Sequence, residues 1–168
     1  MVVSTPLAAG GGSELRISAD MSIVAAAGGV ERVEVGGRMC GNPVIRDSMK
    51  LLSCIAPAGV GKHVDVVVSW RNNNFLSIAN LSILSTSYRS PQLQSISPPF
   101  GIPVLGNEST LLLSGSEFGP ASLEAPLQVL VDGMECGEVK RLSDQLVQCS
   151  RVPMGVGVKR SVVVVSGG

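Results

Sequence analysis

Four cysteines have the most definite chemistry in this chain, and they fall in pairs: Cys40 with Cys54, and Cys136 with Cys149. Thiols can hold zinc, act as nucleophiles or close disulfides. A four-cysteine zinc site is built from close Cys-x-x-Cys couples, and the chain has none. Nucleophilic catalysis needs a base beside the thiol, and no such constellation surrounds the single histidine, His63. Two disulfides, Cys40 with Cys54 and Cys136 with Cys149, are the simplest reading; four buried free thiols are the alternative. Closing a loop of about 14 residues stabilises by roughly 3 kcal/mol on the chain-entropy account. Disulfides imply an oxidising compartment, so the protein is expected to be secreted or at the cell surface.

The other chemistry-bearing residues form weaker patterns. Gly59-Val60-Gly61-Lys62 hints at a phosphate loop, but that loop needs Gly-x-x-x-x-Gly-Lys-Ser/Thr. Ala56 and His63 stand at its first and last positions, so a tight turn between strands is expected. Asp132, Glu135 and Glu138 offer oxygens of the kind calcium prefers. Their spacing matches no calcium loop, and Gly36, Met39 and Asn42 stand at the equivalent points upstream. Trp70-Arg71-Asn72-Asn73-Asn74-Phe75 combines aromatics with amides, as a sugar platform would. With three Phe, one Trp and one Tyr in 168 residues, a turn with Trp70 packed at a strand end is the expectation. No catalytic residue, metal site or cofactor is assigned, and an enzyme is not expected. Zero formal net charge and a pI near 6.6 leave no basic face for nucleic acid.

The cysteine pairs belong to a longer repetition. Cys136, Pro153, Gly155, Gly157 and Val162 lie 96 positions after Cys40, Pro57, Gly59, Gly61 and Val66. Repetition at a fixed period marks two copies of one module, with a boundary near Ser90-Pro91: residues 1–90 and 91–168. Domains of this size are marginal and gain from a covalent staple. Strands are expected at 14–18, 30–35, 43–46, 50–55, 63–70 and 75–88. In the second copy they are expected at 109–114, 126–131, 137–141, 145–149 and 158–165. Val33 and Val35 alternate with Glu34, as on a half-buried strand. Asp132-Gly133 and Gly36-Gly37 are turn signals at equivalent points. No sustained helical period occurs, so the fold class expected is all-β, two tandem sandwiches.

The order of motifs in the second copy resembles that of an IPT/TIG domain. Ile96-Ser97-Pro98-Pro99 opens it, followed by Gly106, an apolar strand and Gly115-Ser116-Glu117-Phe118-Gly119. A valine-rich strand, Gly133 to Cys136, a second cysteine and Pro153-Met154-Gly155 complete the pattern. The first copy is similar through Pro6, Gly10 to Ser13 and Leu15 to Ile17, but Ala19 to Ile23 lacks Gly-x-x-Phe-Gly. The resemblance covers nearly the whole chain. It implies immunoglobulin-like sandwiches of the kind found in plexins, growth-factor receptors and Rel-type transcription factors. It also implies that Cys40, Cys54, Cys136 and Cys149 occupy the disulfide positions of the extracellular branch.

The first copy continues past Trp70 through Tyr88, whereas Gly168 corresponds to Asn72. The second sandwich is therefore expected to lack its last strand within this chain. Either a longer parent supplies that strand or another chain adds it along the exposed edge; a longer parent is the favoured reading. Val162, Val163, Val164 and Val165 form a candidate assembly surface, because four valines in a row suggest cover on both faces. Two sequons, Asn80-Leu81-Ser82 and Asn107-Glu108-Ser109, are candidate N-glycosylation sites. No secretory signal opens the chain, and no segment is apolar enough for membrane insertion. The expected function is a structural or adhesive segment of a large secreted or cell-surface glycoprotein. Its expected partners are further copies of itself, which would build a filament, or neighbouring repeats. An ectodomain module that recognises a protein ligand, as in plexin-like receptors, is the alternative, and a Rel-like DNA-binding domain is the third.

Overall fold

The computed structural model describes residues 2–3, 6–18, 29–46, 50–71, 78–98, 109–154 and 159–167, with the backbone alone at 2–3, 71 and 78–84. The chain divides into two compact units, Met1–Tyr88 and Arg89–Gly168. Every named element is a strand, and all the paired strands run antiparallel.

The first unit contains β1 (Val2–Val3), β2 (Glu14–Ser18), β3 (Arg32–Val35), β4 (Arg38–Met39), β5 (Gly41–Arg46), β6 (Leu51–Ile55), β7 (Val64–Arg71) and β8 (Ile78–Thr86). They form two sheets, ordered β1-β2-β6-β5 and β4-β3-β7-β8. This strand order is that of an immunoglobulin-like sandwich. Sequence alternation explains the burial: Leu15 and Ile17 on β2 and Val33 and Val35 on β3 point inward, while their neighbours do not. Together with Leu52, Val66 and Val68 they fill the space between the sheets. Each such aliphatic side chain contributes about 1.5–3 kcal/mol on burial.

The second unit contains β9 (Gln92–Ser97), β10 (Thr110–Ser116), β11 (Leu127–Val131), β12 (Met134–Glu135), β13 (Glu138–Ser143), β14 (Leu146–Ser150) and β15 (Val162–Ser166). Its sheets are ordered β9-β10-β14-β13 and β12-β11-β15. Leu111, Leu113, Phe118, Val129, Val131 and Val147 make the core. The repetition is one of register as well as sequence. Val33 opposes Val68 and Val35 opposes Val66 in the first unit; Val129 opposes Val164 and Val131 opposes Val162 in the second. The hairpin turns repeat too. Gly36-Gly37 and Asp132-Gly133 all have positive φ, which a two-residue turn matching the strand twist requires.

Trp70 lies next to the end of β7, opposite Ala79, and packs against the core from a partly exposed position, as the strand-end reading expects. One expectation changes. Residues 92–97, read only as the opening of the second copy, form the paired strand β9. Within the single chain Val162 and Val164 turn inward, while Val163 is 49% and Val165 38% exposed and form an outward apolar face. In the second unit the sheet containing β15 has three strands instead of four, and among the described residues nothing pairs with the outer side of β15.

Candidate functional site

Each disulfide joins the two sheets of its own unit. Cys40 follows β4 and bonds Cys54 on β6; Cys136 follows β12 and bonds Cys149 on β14. The Cα atoms are 5.8 and 5.9 Å apart, and all four residues are buried. The backbone sets these positions identically: Cys40 N–H donates to Val33 O, and Cys136 N–H donates to Val129 O. No cysteine is free. These sulfurs are staples, with no thiolate to attack a substrate or hold a metal.

The remaining candidates do not converge. Asp132 Oδ1 accepts from Ser161 N–H at 2.8 Å, and its other oxygen pairs with Arg160 at 2.9 Å. Glu138 pairs instead with Arg151, and Glu135 is exposed. Among the described residues, no three His, Cys, Asp or Glu side chains gather where they could hold a metal. His63 and Lys62 lie in the loop between β6 and β7. Gly59 of that loop packs against the Tyr88 ring, where a Cβ would sit 2.6 Å from Tyr88 Cε2, and its N–H donates to Ala9 O.

Tyr88 is the anchor of this corner. Its O–H donates to Pro57 O at 2.9 Å, its N–H donates to Gly61 O, and its strand segment bridges Leu7 in parallel. The side chain is buried. Desolvation pushes its hydroxyl above the ordinary tyrosine range, against a smaller opposing pull from Arg38. The folded value is thus above the unfolded one. The stability this phenol adds is complete below about pH 10 and is lost as pH rises through the folded value. In alkaline denaturant titrations, Tyr88→Phe is expected to flatten that loss. It should also cost about 1 kcal/mol at neutral pH for the missing hydrogen bond. Identical alkaline slopes for both proteins would contradict this assignment.

Sequence reasoning missed Arg141. It projects inward from β13 and is buried. Its Nε donates to Phe118 O at 2.6 Å, Nη1 to Leu123 O at 2.6 Å and Nη2 to Ser166 Oγ at 3.2 Å. Desolvation lowers its guanidinium from the ordinary arginine range. The Gly-x-x-Phe-Gly motif is part of the same corner. Phe118 is fully buried, Gly119 has φ of 83°, and Gly119 N–H donates to Asp144 Oδ1 at 2.8 Å. The residues of the corresponding stretch of the first unit, Ala19 to Ile23, lie outside the described residues. Of the sequons, Asn80 lies on β8 in register with the buried Ser69. Asn107 lies outside the described residues, as do Phe75 and Phe100.

The fold is similar to that of the surface glycan-binding protein PbSGBP-B from Prevotella bryantii. The TM-score is 0.54 at 12% identity, over 92% of this chain and 34% of that one. At that identity the likeness is one of fold. SGBP-B from a complex xyloglucan utilization locus in Bacteroides uniformis overlaps over 98% of this chain and 44% of that one, with a TM-score of 0.36 and 14% identity. This chain therefore spans about a third of the length of the first protein and less than half of the second. No protein-family profile and no curated protein sequence matches it.

Proposed function

We propose that this chain is a structural segment of a secreted or cell-surface protein built from tandem immunoglobulin-like sandwiches of the IPT/TIG type. Its units space and present surfaces; they carry out no chemistry. The observation that carries this reading is that the most reactive side chains are consumed in the architecture. All four thiols close disulfides within their own sandwiches, and the buried tyrosine and arginine are bonded to backbone carbonyls. The disulfides support an oxidising compartment, and a cell-surface setting agrees with the surface glycan-binding protein that shares the fold.

That neighbour raises carbohydrate as a ligand of the whole protein. A sugar platform on this segment would need exposed aromatic faces. Among the described aromatics, Tyr88 and Phe118 are buried and Trp70 packs against the core. The chain, expressed through an oxidising secretory route, is expected to show no free thiol by mass spectrometry. It is also expected to give no saturable heat with soluble β-glucans or xyloglucan in calorimetry. Free thiols would overturn the compartment, and saturable glycan binding would overturn the structural role.

A further inference from the structure

Methionine is among the residue types most often fully buried in a folded chain. This protein departs from that pattern. Of its six methionines, Met39, Met134 and Met154 fall among the described residues. All of these are exposed, Met39 at 58%, Met134 at 45% and Met154 at 74%. The buried clusters of the two units are built instead from aliphatic side chains, the disulfides, Tyr88 and Phe118. Among the described residues, the thioethers stand where a dissolved oxidant reaches them, and neither core contains one.

We propose that Met39, Met134 and Met154 are sites of reversible oxidation by peroxides, placed so that the fold tolerates the change. Exposure and placement define these sites, whether or not the segment is structural in function. In the reaction a thioether sulfur donates a lone pair to one oxygen of hydrogen peroxide as the O–O bond breaks. The sulfur is oxidised by two electrons to the sulfoxide. The other oxygen takes both protons and leaves as water.

Two features of the chain favour this chemistry. First, no thiol competes for the oxidant, because all four cysteines are closed in disulfides. A free thiolate would otherwise enter the oxidation ladder alongside the thioethers. Second, the sulfoxides form away from the cores. Methionine oxidation disrupts a protein when it puts a polar group among apolar neighbours. Met39, on β4, lies in register with Glu34, whose carboxylate pairs with Arg32 at 3.4 Å. Cross-strand partners share a face of the sheet, so a sulfoxide at Met39 joins a surface that is already polar. Met154 follows β14 and lies two residues beyond the buried Val152. Met134, on β12, is in register with the buried Val131 and is the least exposed of the three. Oxygen transfer is therefore expected fastest at Met154, slower at Met39 and slowest at Met134.

The test treats the folded full chain with dilute hydrogen peroxide and follows each site by peptide-resolved mass spectrometry. Each of the three sites should gain one oxygen, in that order, at a rate within about threefold of the same site in the urea-unfolded chain, since susceptibility follows exposure. The oxidised protein should keep its unfolding temperatures to within about 2 °C. Sulfoxide reductases, one for each epimer, should return the original mass. The triple variant Met39→Leu, Met134→Leu and Met154→Leu should take up no oxygen at these positions and unfold at the parent's temperatures. The proposal is overturned if the three sites react at least tenfold more slowly in the folded chain than in the unfolded one. It is also overturned if oxidation lowers an unfolding temperature by more than about 5 °C and the triple variant escapes that loss.

Discussion

Replacing Arg141 with methionine is expected to destabilise the second unit by about 3–5 kcal/mol, the largest single-residue effect in the chain. Methionine keeps much of the length and apolar volume of the side chain but donates nothing. Two short bonds from a charged donor disappear, to Phe118 O and Leu123 O. Each is worth roughly 1.5–3 kcal/mol, and a buried carbonyl left without a donor carries its own desolvation cost. The third bond, to Ser166 Oγ, ties the end of β15 to the opposite sheet. Its loss should also speed amide exchange on β15 well before global unfolding. Arginine stays protonated across the accessible pH range even when burial lowers it, so the effect should be nearly independent of pH from about 5 to 9. Urea titrations followed by unit-specific amide exchange would check this. A change below about 1 kcal/mol would mean that Arg141 is solvated in practice rather than a buried clamp.

The prominence of Arg141 shows where sequence reading stops. Alternation announces which face of a strand is buried but not which residue will be asked to fill it. In register, Arg141 opposes Val147 as Ile45 opposes Leu52. The first unit meets its core at that point with an isoleucine, and the second with a guanidinium that bonds three carbonyls, of Phe118, Leu123 and Ala125, in the loop between β10 and β11. Tyr88 was likewise readable as the end of a last strand, while its acceptor lies 31 residues away. No local pattern carries that distance. What local physics does dictate was legible: the inward valines of β3 and β11, the Gly36-Gly37 and Asp132-Gly133 turns, and the pairing of cysteines within each repeat. Strand β9 escaped because Gln92–Ser97 is mostly exposed, with only Leu93 and Ile96 turned to the core. In the valine run of β15, Val162 and Val164 turn to the core while Val163 and Val165 face outward, where an assembly contact would have to form.

Breaking the disulfides is expected to have unequal consequences, although their geometry is nearly the same. Each closes a loop of similar length, 14 residues in the first unit and 13 in the second. Loop entropy therefore predicts about 3 kcal/mol for either. That is a large fraction of the 5–15 kcal/mol typical of a whole domain. For a unit of this size it corresponds to a fall in unfolding temperature of roughly 12–24 °C. The first unit has a four-stranded second sheet and a core in which Val66 and Val68 are sealed. The second has three strands there and leaves Val162 and Val164 partly uncovered, so less apolar burial stands behind its staple. The double substitution of Cys136 and Cys149 by alanine should thus unfold the second unit at temperatures where the equivalent change at Cys40 and Cys54 leaves the first unit folded. Scanning calorimetry of the two double variants, with amide exchange to assign each transition, separates the cases. Equal shifts and equal midpoints would mean that the open edge of β15 costs the second sandwich nothing, and the asymmetry would then have to be sought in its loops.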